Sequence, residues 1–318
     1  MKPAEMTAQQ LGTVFRQSTR LMGNRFQFSV VGRDPGRANA CIAKGIEEVK
    51  RIERLLTTFD DNSQTSLINK NAGIRPVEVS DEVFSLIERS LKLSHLTQGA
   101  FDITYGSMDK RFWNFDRSMT ALPEPAMARE RVRLINYRNV ILDRAGKMVY
   151  LKEKGMVIGF GGIGKGYAAE RAKEVMQKEG ASSGIVNAAG DMTVWGRQPN
   201  GQPWTIGIAD PERTYLPFAS LQLGDISVAT SGNYEKYVVI DGVRYSHTIN
   251  PRTGYPVRGI RSVTIICPNA EIADAMATPV MVMGIDAGLG LINQVKNIAC
   301  IIVDDDDRLY TSRNINLC

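Results

Sequence analysis

The stretch GFGGIGKGYAAE, residues 159–170, concentrates residue types that can do phosphate chemistry. Gly159, Gly161 and Gly164 fit G-x-G-x-x-G, while Gly159, Gly164 and Lys165 fit all of G-x-x-x-x-G-K-[ST] but its last position. Glycines let backbone N–H groups approach an anion closely. A helix starting at Gly166 would present its positive end to the same place, and Lys165 adds a full charge. A dinucleotide fingerprint needs an acid at the end of the next strand, and Glu179, at the matching distance, sits at a helix end instead. A P-loop needs a hydroxyl after its lysine, and residue 166 is glycine. Both labels fail, but four glycines and a lysine at a strand-to-helix junction still suit a phosphate or metal-phosphate ligand. The alternative is a tight turn with an exposed lysine.

His247 lies in RYSHTINPRTGYPV, at the end of a hairpin strand and before a Pro/Gly-rich turn. A neutral imidazole held there could act as a general base near neutral pH. Asp274 and Thr278 are four apart on a predicted helix and therefore share a face. A carboxylate and a hydroxyl are hard oxygen ligands of the kind Mg²⁺ takes; the alternative is a first-turn aspartate beside a threonine that bonds back to its own helix. GAFDITYG places Phe101 and Asp102 in a glycine-bounded turn, able to hold a base or to pack a core, and Phe59 in TTFDD is a candidate stacking residue. His95, near a helix end, reads as packing or capping, and DDDD at 304–307 as a solvated hairpin tip.

The elements that must position these groups follow from periodicity. RFQFSVVG alternates with Phe26, Phe28 and Val30 on one face and reads as a strand. Helical spacing predicts a helix over roughly 36–56, and Ser80 is the N-cap of a second. NVILD, KMVYL and MVIGF read as strands, with the last leading into the glycine stretch. LTTFDDNSQTSLINKNAG reads as an ordered loop, YEKYVVIDGVRYSHTI as a hairpin around Asp241-Gly242, and EIADAMATPVMVMG as a helix. Hairpins outnumber strand–helix–strand units, so the fold class is α+β with a mostly antiparallel sheet. The chain has 318 residues, 43% of them hydrophobic, and a net charge of +5, which does not demand nucleic-acid binding. No apolar run is long enough for a transmembrane segment. Cys41, Cys267, Cys300 and Cys318 form no C-x-x-C and read as buried thiols.

RLMGNRF, TTFDDNSQTSLIN, GAFDITYG, GFGGIGKGYAAERA, NAAGDMTVWG, VATSGNYEKY, SHTINPRTGYPV and ADAMATPVMVMG occur in the order found in the ApbE family, the FAD:protein FMN transferases, which the chain resembles from about residue 20 to 284. The resemblance implies a T-fold-like α+β architecture, two lobes around a flavin-binding cleft, with residues 1–20 as an N-terminal extension and 21–318 as one domain. It implies FAD as substrate, a divalent cation such as Mg²⁺, and transfer of FMN to a threonine of an acceptor flavoprotein carrying a Ser/Thr-containing motif, with release of AMP. Carried over residue by residue, it makes Asp274, Thr278 and the Gly162 carbonyl metal ligands and His247 the general base. Lys165 would touch the FAD phosphates, and Met22, Phe59, Ala100, Phe101, Asp102, Gly159 and Thr248 would line the FAD pocket. The chain departs from the family where Gly159 and Asn250 stand in place of aspartates and Gln64 in place of glutamate. A metal-dependent FAD pyrophosphatase and a non-catalytic flavin carrier are the competing readings. The family's export habit implies a periplasmic or membrane-associated place if a signal was removed, and the chain as written a cytoplasmic one.

Overall fold

The computed structural model describes residues 12–108, 122, 124–209, 217–232, 237–240 and 242–315. Strands β1 (Thr13–Leu21) and β2 (Asn24–Gly32) form a hairpin whose turn, Met22-Gly23, has φ of 50° and 73°. Two left-handed residues give a turn whose twist matches that of the strands it joins. Residues 13–20, set apart as an extension in the sequence reading, thus pair with β2 throughout. Next come α1 (Pro35–Leu56), α2 (Gln64–Lys70), β3 (Val77–Glu78) and α3 (Asp81–Leu96). Ser63 and Ser80 cap α2 and α3 by accepting the N–H of Ser66 and of Val83. A 3-10 turn (Ile103–Ser107), α4 (Pro125–Val132), a second 3-10 turn (Tyr137–Asn139), β4 (Val140–Asp143) and β5 (Met148–Leu151) lead to the glycine stretch. The remaining order is α5 (Gly164–Lys178), β6 (Gly184–Ala188), β7 (Asp191–Trp195), β8 (Trp204–Ala209), β9 (Pro217–Leu223), β10 (Ile226–Gly232), β11 (Tyr237–Ile240), β12 (Val243–Ser246), β13 (Ile260–Cys267), α6 (Ala270–Met283), α7 (Ile285–Ile292), β14 (Ala299–Asp304) and β15 (Leu309–Thr311).

The chain folds into two units, each assembled from three segments. The first comprises the chain up to Glu53, Lys165–Ala229 and Ile266–Ala273. Its strands follow the order β1-β2-β6-β7-β10, each neighbour antiparallel, with β8 and β9 as a separate antiparallel pair. Phe26, Phe28 and Val30 are buried as the alternation predicts, with the two rings stacked at 6.2 Å. Ile42, Val49 and Ile52 of α1 and Ala168, Ala172 and Met176 of α5 complete this core.

The second unit comprises Arg54–Gly164, Thr230–Ile265 and the chain from Asp274. It holds β13-β14-β15, the small sheet β3-β5-β4 and the hairpin β11-β12. Val83, Leu86 and Ile87 of α3 are buried, as the helical spacing predicts. The fold is therefore α+β with mostly antiparallel pairing.

Three expectations change. MVIGF forms no strand; Asn69 clamps it, accepting the Ile158 N–H at 2.8 Å and donating to the Ile158 carbonyl at 3.0 Å. The supposed loop after Leu56 contains α2. Asp306 and Asp307 are exposed at the hairpin tip as expected, but Asp304 is buried: it accepts from the N–H groups of Asp306 and Arg308 and from the Tyr310 hydroxyl, while Asp307 pairs with Arg261. Cys41, Cys267 and Cys300 are free buried thiols, and Cys318 lies outside the described residues. Burial pushes the Cys267 thiol up to about 11 and that of Cys300 to about 12.

Candidate active site

The glycine stretch runs from the Asn69 clamp into α5. Gly159 donates its N–H to the Ile103 carbonyl at 3.0 Å, and Phe160 accepts from Ile163 and Gly164. The helix begins at Gly164, so Lys165 sits in its first turn, two residues earlier than expected. None of these glycines has positive φ, so the backbone path does not call for them. A Cβ on Gly159 or Gly161 would meet nothing within 4 Å, whereas one on Gly162 would lie 3.6 Å from the Phe101 ring. Open space beside Gly159 and Gly161, with Phe101 against Gly162, fits close approach of a ligand to backbone rather than tight packing.

Ala100 and Phe101 are buried, and Phe101 is tied by its N–H to the Thr97 hydroxyl at 3.0 Å. Asp102 accepts from the N–H and hydroxyl of Thr104 and from the Tyr137 N–H. Burial pushes its carboxyl up, against the pull of those bonds. Phe59 is 98% exposed, an aromatic plate held out on the loop before α2.

His247 follows the last residue of β12 and is exposed. The chain beyond it is braced: the Val257 N–H donates to the Thr248 carbonyl at 2.9 Å, Ile249 bridges Pro256, and the Ile249 N–H donates to the Tyr105 hydroxyl. Asn250 accepts the Arg252 N–H, a role an aspartate there would fill equally, so its side chain shapes the turn. Gln64 likewise accepts the Ser80 N–H. Gly254 closes the turn with φ +74°, and a Cβ there would lie 2.5 Å from the Ala128 carbonyl carbon and closer still to its oxygen. Gly254→Ala is expected to lower stability by about 2–3 kcal/mol or more, from left-handed strain plus the backbone clash. Thermal unfolding measures this; an unchanged melting temperature would mean the turn and α4 are free to separate.

On α6, Asp274 is buried at 7% exposure and Thr278 lies one turn later on the same face. The Thr278 hydroxyl meets that of Ser231 on β10 at 2.9 Å. Among the described residues no group of three or more His, Cys, Asp and Glu could hold a metal. A cation here would therefore rest on one carboxylate supplemented by hydroxyl and carbonyl oxygens, a donor set suited to a hard ion. Gly162, Asp274, Thr278, His247, Thr248, Phe59 and Ala100–Asp102 all belong to the second unit. Met22 and Lys165 belong to the first. The Met22 N–H donates to the Glu53 carboxylate at 2.8 Å. Lys165 pairs with the buried Asp191 at the start of β7. Asp191 and Ser231 were missed as partners, although both lie in segments quoted for the resemblance.

The described residues combine a mostly antiparallel α+β fold with a glycine turn, an exposed histidine and a helix-borne Asp/Thr pair. The profile of the ApbE family matches residues 22–302, and the chain belongs to that family. A FAD:protein FMN transferase of Klebsiella pneumoniae is 32% identical over 91% of this chain and 89% of its own length. One of Treponema pallidum is 30% identical over 89% and 82%. The crystal structure of the ApbE protein of Thermotoga maritima superposes with a TM-score of 0.84 at 31% identity, covering 95% of this chain and 97% of that one. The flavin transferase ApbE of Vibrio cholerae does so with a TM-score of 0.82 at 25% identity, covering 95% and 98%.

Proposed function

We propose that this protein transfers FMN from FAD to a threonine hydroxyl of an acceptor flavoprotein. The hydroxyl oxygen attacks the phosphorus of the FMN half, the pyrophosphate P–O bond breaks, and AMP leaves. The new phosphoester keeps FMN on the acceptor, and His247 takes the hydroxyl proton. An alcohol is a weak nucleophile, so such a base contributes about 10²–10⁴-fold. The backbone around Gly159–Gly162 and the Lys165 ammonium receive the phosphates. Phe59 and Phe101 supply aromatic groups for the flavin dinucleotide, with Ala100, Asp102 and Thr248 as further pocket residues of the second unit, and Met22 of the first unit as a separate contact to FAD. Asp274, Thr278 and the Gly162 carbonyl would hold a divalent cation, Mg²⁺ by donor type, which would supply positive charge against the leaving phosphate.

The observation that carries this reading is the buried Asp274 one helical turn from Thr278, a carboxylate and a hydroxyl on one face of α6. That donor set suits a hard cation on phosphate. The names of the relatives, FAD:protein FMN transferases, supply the substrate. Mass spectrometry of a candidate acceptor flavoprotein, after incubation with FAD, Mg²⁺ and this protein, is expected to show one added FMN on a threonine. Rapid release of free FMN and AMP without any acceptor would instead make the protein a pyrophosphatase, with water in the threonine's place.

A further inference from the structure

One cavity of the second unit is lined by four arginines: Arg129 and Arg133 at α4, Arg138 in the second 3-10 turn, and Arg252 in the turn after His247. We propose that this cavity receives an acidic segment of the acceptor polypeptide and so selects which protein is flavinylated; the inference rests on the transfer reading above.

All four guanidinium-bearing residues are exposed. Among the described residues Arg129 has no partner, and Arg133 is paired only with Glu130, itself well exposed and readily exchanged for another carboxylate. Arg138 stacks on the Tyr137 ring at 4.7 Å, and Arg252 donates to the Gln98 carbonyl. Tyr137 also lines the cavity and is 7% exposed, yet its hydroxyl has no hydrogen-bond partner among the described residues. A buried hydroxyl without a protein partner is uncommon and calls for one from a bound molecule, ligand or water. Asp102 is the one carboxylate among the cavity's lining residues, held by Thr104 and the Tyr137 N–H and close enough to Arg138 to feel its charge, so the four arginines outnumber it.

Position favours a polypeptide over a small anion. Arg252 lies five residues beyond His247, within about 17 Å by chain reach. A threonine presented to His247 therefore has its neighbouring residues within reach of this surface. The arginines come from three separate stretches of chain, an arrangement that several carboxylates along a peptide can share.

The test is fluorescence anisotropy with a labelled nonapeptide in which a central threonine is flanked by Asp and Glu, against the same peptide with Asn and Gln. The acidic peptide should bind at least about 10-fold tighter at low salt, and the preference should fade as salt rises. The double variant Arg129→Glu/Arg133→Glu should lose that preference, and Tyr137→Phe should weaken binding by about 3–10-fold. Arg37→Glu/Arg313→Glu makes the same charge change at exposed positions elsewhere and should leave binding within about 2-fold. Thermal melting checks that each variant folds, and flavin fluorescence that FAD affinity is unchanged. Equal binding of the two peptides, or equal losses in the two double variants, overturns the proposal. So does tight binding of inorganic phosphate that depends on Arg129 and Arg133 without any peptide preference, which would make the cavity a small-anion site. Since the peptide-binding measurement itself uses neither FAD nor turnover, its failure is distinct from failure of the transfer reading.

Discussion

Replacing Asp274 with asparagine is expected to cut FMN transfer by at least about 10³-fold, equivalent to about 4 kcal/mol of transition-state stabilisation. The amide keeps the volume of the side chain, so the buried site on α6 should not collapse. What it removes is the one full negative charge in the proposed donor set, and a hydroxyl and a carbonyl do not hold a hard dication without it. Transfer measured by acceptor mass against Mg²⁺ concentration should show lost activity and a much weaker response to metal. Thr278→Ala should fall less, by about 10–100-fold, because it takes away a neutral ligand and the contact with Ser231. An Asp274→Asn protein that transfers within tenfold of the original rate would remove the cation from the proposed chemistry.

The second large effect is expected at His247. His247→Ala should slow transfer by about 10²–10⁴-fold while stability moves by no more than about 0.5 kcal/mol, since the side chain is exposed and the brace beyond it is made by backbone. FAD binding should persist. The pH profile supplies the sharper readout. A base must be neutral to accept a proton, so the unaltered protein should lose rate as acid protonates the imidazole. In the variant that acid-side fall should vanish. A variant with full activity, or with an unchanged acid limb, places the base elsewhere. A protein that binds FAD and never turns it over, with or without His247, would be a carrier.

Local signals made part of this site legible. The apolar spacing of α1, the Ser80 cap of α3 and the hairpin around Gly242, with φ +76°, are decided within a few residues, and so could be read along the chain. The central Asp241 of that hairpin lies outside the described residues. β1 left no such signal, because its side chains are exposed or half-buried along nearly all of TVFRQSTRL. Its strand character comes from pairing with β2 and not from its own alternation. The segment before the glycine turn misled in the opposite sense. Met156, Ile158 and Phe160 are buried, but the polar backbone is satisfied by Asn69, 89 residues away, and by the Ser107 hydroxyl, 50 away. The partners of Lys165 and Thr278 are equally remote, at 26 and 47 residues. Residue type and spacing can nominate such groups, but only the fold chooses the neighbours that orient them.

The three-segment make-up of each unit bears on how the protein is born. The first unit lacks its last piece until Ile266–Ala273 has been synthesised, and the second gains Asp274 and Thr278 only after that. At about 5–20 residues per second, the ribosome leaves most of the chain waiting without its closing segments for tens of seconds. A stop codon ahead of α6 is therefore expected to leave both units without a segment each needs.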